Sequence, residues 1–204
     1  MTHKKAKVIC PIFEKSAYPY HGFGFKVGDP VALTYKLYFR KYLSFVVDGG
    51  SSSSGLYTSK HRSDFKLYSS EINIPEDYPI DQSFYPVYTN HRVLGEYVAE
   101  GKVLFQMQTD QLYKGLQTYV GIGWQYRQLG IEYVYYYGYP NSNEIGKDTF
   151  QKNKTYQGPE LILGIEYSYF QIPVSAFMEI TAFRDITFTS WSRLQGGIGL
   201  RYVF

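Results

Sequence analysis

Cysteine is almost missing from this chain. Cys10 is the only one in 204 residues, which excludes an intrachain disulfide and any multi-cysteine metal centre. Long apolar runs are missing as well: nothing approaches the roughly 18 consecutive apolar residues of a membrane-spanning helix. The mean hydropathy of −0.31 agrees. A barrel of strands stays open, because such strands give lipid only every second residue. Charge of one sign is also lacking, with 21 Lys and Arg against 18 Asp and Glu, a net +3. Apart from His3–Lys7 the cations are scattered, so no nucleic-acid footprint is expected. The first ten residues hold no apolar core of a secretory signal, so an exported chain is expected to have lost its signal or to carry it upstream. Lys7-Val-Ile before Cys10 lacks the small residues of a lipid-anchor site, and none is expected there. No segment shows a convincing helical period.

Tyrosine and alternation are what the chain has instead. It carries 23 Tyr and 14 Phe, and aromatic residues make up 19%. Tyrosine suits both strands and membrane interfaces. The last eleven residues place Leu194, Gly196, Ile198, Leu200, Tyr202 and Phe204 on one strand face, with Gln195, Gly197, Gly199, Arg201 and Val203 on the other. The same period of two recurs over 21–27, 31–39, 42–48, 92–107, 116–126, 159–170 and 174–187. Eight strands are therefore expected after an irregular tail at 1–20, forming one all-β domain over 21–204. Turns near residues 40, 111 and 172 are short, whereas 49–90 and 127–157 are long. Short turns at one end and long loops at the other are the habit of an antiparallel transmembrane β-barrel, with the short end periplasmic. Residues 131–138 are expected to carry their strand beyond the membrane.

One face of these strands carries Leu, Ile, Val and Tyr. The other carries Gly121, Gly123, Gly164, Gly197 and Gly199 with Lys36, Glu160, Glu166, Glu179 and Arg201. Glycine gives an exposed strand nothing to pack, so that face is expected inside a narrow barrel, where glycines leave room for large charged neighbours. Buried charges need partners. Lys36, Arg201 and Arg40 are therefore expected to pair with Glu96, Glu166 and Glu179 in a filled lumen. A soluble lipocalin-like ligand-binding barrel is the alternative, and it would reverse the two faces.

Gly28-Asp-Pro30, Leu33–Phe39, Gly121-Ile-Gly123, Gly164–Pro173 and Gly197–Phe204, in that order and spacing, resemble the small eight-stranded outer-membrane barrels of the OmpA-like and opacity type, in the form common in Bacteroidota. The resemblance implies residence in the outer membrane. It also implies insertion by the barrel assembly machinery, which reads a closing strand ending in an aromatic, here Tyr202 and Phe204. It supplies no catalytic residue.

Chemistry has little to stand on. His61-Arg-Ser63 with Asp64 is the one arrangement that a lipid A-modifying enzyme of this class would use, and it lies in a Ser-rich segment without strand context. His3, His21 and His91 have no metal spacing, and no cofactor motif is found. The expected role is structural: the barrel anchors in lipid, and the segments 49–90 and 127–157 meet other outer-membrane proteins, or the chain serves as an accessory subunit of a larger complex. Tyr133, Tyr135, Tyr136, Tyr137 and Tyr139 are the expected contact residues, with aromatic residues at the bilayer surface as the plainer reading.

Overall fold

The computed structural model describes residues 18–52, 57–75, 78–79, 83–109, 113–139, 143–169, 172–187 and 192–204. The expected tail and Cys10 lie outside them, except for Tyr18 onward. Eight strands are present: β1 (Tyr20–Gly28), β2 (Val31–Arg40), β3 (Leu43–Ser51), β4 (Val87–Gln108), β5 (Leu116–Gly138), β6 (Ile145–Ser168), β7 (Val174–Arg184) and β8 (Ser192–Val203). Each pairs with its sequence neighbour, and the ring closes where β8 meets β1. That antiparallel seam sets Gly22 opposite Val203 and Phe25 opposite Leu200. Just past it, His21 N donates to Phe204 O at 2.9 Å and Phe204 N to His21 O at 2.8 Å.

The alternation in the sequence is what makes a closed ring possible. On β2, Val31, Leu33 and Tyr35 are exposed while Ala32, Thr34 and Lys36 between them are buried, and β8 does the same with Leu200 and Tyr202 around Arg201. A period of two puts each set on one side of the sheet, and closure turns those sides into an inside and an outside.

Two compact units divide the described residues. One comprises those of 1–53, Tyr97–Arg127 and Thr155–Phe204; the other comprises those of Ser54–Glu96 and Gln128–Lys154. The structure departs from the sequence reading mainly in the second unit. Within the segment expected as one loop over 49–90, β3 continues to Ser51, a helix α1 spans Thr58–Tyr68, a 3₁₀ turn follows at Ser69–Glu71, and β4 begins at Val87. The helix corrects the expectation that none forms. Its buried face is His61, Asp64 and Phe65, an i, i+3, i+4 set with a single apolar member, too weak a stripe to stand out. The segment 127–157 is also mostly strand. β5 and β6 run 23 and 24 residues, and the connection between them is only 139–144.

Candidate functional site

Outside and inside of the barrel unit are inverted relative to a soluble protein. Leu163 is 64% exposed and Leu33 61%, whereas Lys36, Asp48 and Glu166 are 0%. A soluble ligand-binding barrel requires the opposite, and the structure overturns that alternative. The exposed apolar residues include Phe23, Phe25 and Val27 on β1, Ile122 and Trp124 on β5, Leu161 and Leu163 on β6, Met178 and Ile180 on β7 and Ile198 and Leu200 on β8. Along β2 the band runs from Val31 to Phe39. Eight steps of ~3.4 Å, tilted by ~40°, rise about 21 Å, close to the apolar height of an outer-membrane barrel. Exposed rings collect at the end with the short turns: Tyr42, Tyr113, Tyr169, Tyr202 and Phe204. Toward the other end stand Tyr97, Trp124 and Tyr126. Such paired girdles match the two interfaces of a bilayer.

Charge fills much of the interior, beside a buried apolar cluster of Val46, Leu104, Tyr119 and Ile162. Lys26 Nζ on β1 lies 2.9 Å from each of Asp48, Glu100 and Glu179, on β3, β4 and β7. Lys102 Nζ meets the same three at 2.8, 2.7 and 2.8 Å. The three carboxylates have oxygens close enough together to hold a metal ion, but the two ammonium groups already stand among them. A second cluster centres on Glu166. It takes Lys36 Nζ at 2.5 Å, Ser175 Oγ at 2.6 Å and the Tyr38 hydroxyl, with Arg201 Nη1 at 3.8 Å. Arg201 also donates to Thr34 Oγ1 and lies 3.6 Å over the Phe177 ring. A third pair is Arg127 with Asp29 at 3.0 Å. Gln125 links the first cluster onward, donating to Glu100 at 2.5 Å and accepting from Arg193.

Glycines make this filling possible. A Cβ at Gly197 would come within 2.9 Å of the Lys26 stem, and one at Gly123 within 2.5 Å of Glu160 Oε1. At Gly164 it would fall on the Tyr119 ring. Among the described residues of this unit the buried charges are Lys26, Lys36, Lys102, Arg127, Arg193 and Arg201 against Asp29, Asp48, Glu100, Glu160, Glu166, Glu179 and Asp185. Six cations thus face seven carboxylates, and near-balance of that kind is what lets so many ions leave water.

Of the residues expected in this network, the structure brings Lys36, Glu166 and Arg201 into one cluster and puts Glu179 in the other. Glu96 is a correction: it is only half-buried and belongs to the second unit, and the carboxylate that β4 gives to the interior is Glu100. Both share a strand face, but the fully buried run of β4 starts at Val98. Arg40 is exposed and lies over the Phe39 ring. Sequence reasoning passed over Lys26, Asp48 and Lys102, although each sits on the inward parity of its strand.

The second unit has a site of its own. Lys154 Nζ on β6 donates to Asp64 Oδ2 of α1 at 2.9 Å and to Tyr133 Oη of β5 at 2.7 Å. Asp64 also takes Lys60 at 2.5 Å. The His61 ring meets His91 of β4 edge-on at 5.1 Å, and His91 Nδ1 shares a hydrogen bond with Tyr88 Oη at 2.7 Å. Phe65 lies against Tyr88, Tyr133 and Tyr135 at 5.6, 5.6 and 6.3 Å. Burial, then Lys154, pushes the His91 imidazole below its ordinary value. Burial also lowers Lys154, against the pull of Asp64. Tyr135 is pushed up to about 12 by burial and by Asp148. Among the five tyrosines expected as contact residues, Tyr133, Tyr135 and Tyr137 are buried, Tyr139 is half-buried and Tyr136 is exposed. The helix also separates the one catalytic arrangement considered: His61 is buried and Ser63 exposed, as two residues on a helix do not share a face, and Asp64 is engaged by lysines.

No family model and no curated protein matches the sequence. Among solved structures, the N-terminal β-barrel domain of Pseudomonas aeruginosa OprF is similar, with a TM-score of 0.46 and 11% identity over 91% of this chain and 95% of that one. The ring of eight strands stands on its own pairing register.

Proposed function

We propose that the protein is a transmembrane β-barrel of an outer membrane, with a filled interior, whose role is to anchor and present rather than to conduct or catalyse. One observation carries this reading: a closed ring that exposes Leu33 and Leu163 while burying Lys36 and Glu166 completely. In water that arrangement loses the hydrophobic term on both faces. In a bilayer the outer band meets hydrocarbon and the paired ions fill the lumen. The crossing parts of the strands are those with the apolar band, from Tyr97 on β4, to Arg127 on β5 and from Thr155 on β6; residues of the second unit lie beyond it in sequence on the same three strands. Interior volume supports the absence of a pore, since eight strands enclose only enough space for side chains.

The presented part is the second unit, and its partner is another outer-membrane protein or the rest of a larger complex. Tyr136, exposed on β5, is the contact residue most open to it. Tyr202 and Phe204, both exposed at the short-turn end, serve as the signal read by the assembly machinery. Folding that requires detergent or lipid, with heat-modifiable migration on gels, is the expected behaviour; a monodisperse monomer in detergent-free buffer would refute the membrane reading. Native purification without crosslinker tests the partner, and a chain that always emerges alone removes that role.

A further inference from the structure

We infer that α1 is a pH-sensitive latch, docked on β4, β5 and β6 near neutral pH and released when a proton loads the His91 ring on which His61 packs edge-on. The inference goes beyond the anchoring role and stands on groups outside the membrane-crossing strand segments. The contacts that hold α1 down include the apolar side chain of Phe65, the ion pair from Asp64 to Lys154, the His61 ring edge-on to His91, Arg62 over the Tyr88 ring and Tyr68 under Lys152 and Lys154. The His91 imidazole feels the charge of Lys154. The charged and titratable groups around them are Lys60, Arg62 and Asp64 on α1, Tyr88 on β4, Tyr133 on β5 and Lys154 on β6. The Arg62 guanidinium covers the Tyr88 ring, and that tyrosine is hydrogen-bonded to His91. A proton on His91 sets a third positive charge near Lys154 and Arg62, with Asp64 already shared between Lys60 and Lys154.

The sign follows from where the proton binds better. The docked state holds His91 below its ordinary value, through burial and Lys154, while a released α1 lets it return. The released state therefore binds more protons as pH falls, and docking weakens through the ordinary histidine range and levels off below the value of the docked state. Release uncovers Tyr133 and Tyr135, which Phe65 covers when α1 is docked.

Hydrogen exchange on the full chain in detergent or lipid tests the latch, with rates corrected for intrinsic pH dependence. Amide protection across Thr58–Tyr68 should fall from pH 7.5 to pH 5, while the amides of β1, β2 and β8 stay unchanged. His91→Gln should flatten that response. Asp64→Asn should retain the response on a lower baseline, because the His91 imidazole carries it. Equal protection at both pH values in the wild type overturns the latch, as does an undiminished response in His91→Gln.

Discussion

Single residues inside the barrel act as parts of shared clusters, so the cost of a substitution depends on what it strands. Glu166 receives Lys36, Tyr38, Ser175 and Arg201. Glu166→Ala leaves two buried cations without their carboxylate and should cost about 3–5 kcal/mol, read as a lower urea midpoint for unfolding from lipid vesicles. Removing Lys36 and Glu166 together, as Lys36→Met with Glu166→Gln, should cost less than the sum of the single changes, because neither then strands the other. Gly164 poses a problem of space. A methyl group there meets the Tyr119 ring, and Gly164→Ala should destabilise by about 1–3 kcal/mol through overpacking, whereas Gly95, with open space around it, should tolerate the same change.

Elements show which parts of the fold the sequence could disclose. A charge on the lipid face should cost in proportion to depth: Leu163→Arg on β6 about 2–4 kcal/mol, and Thr149→Arg, outside the band on the same strand, close to nothing. Folding yield into vesicles and urea midpoints measure both. Phe65→Ala should undock α1 at about 3–5 kcal/mol and remove its exchange protection while the barrel strands keep theirs. The first, second and closing strands were legible because large apolar side chains recur at every second position, as at Val31, Leu33, Tyr35, Leu37 and Phe39. The outer half of β6 was not, because its outward Gln151 and Asn153 face away from inward Lys154 and Tyr156 with no apolar side to mark. Helix α1 was hidden for the related reason that only Phe65 on its buried face is hydrophobic. The interior clusters were half legible: parity picks out Lys36, Glu166 and Arg201, but which strand ends come level across a lumen depends on register, and that decides Glu100 over Glu96.

For the molecule as a whole, a filled lumen implies a closed one. In planar bilayers the protein should give no stepwise open-channel current, and a steady unit conductance would show a water path through the Lys26 and Glu166 clusters. The seam between β1 and β8 bears on a different matter, the time course of folding. Gly22 and Val203 lie 181 positions apart in the chain (203 less 22) yet stand opposite each other, so ring closure ranks among the contacts of greatest sequence separation. Until it forms, the chain carries two raw strand edges and a greasy outer face, each an invitation to pair with another copy. The finished ring has neither edge. The hazard this protein poses to itself is thus confined to an interval rather than to a state, and whatever shortens the wait between the emergence of β1 and the arrival of β8 governs how much of it survives to be inserted.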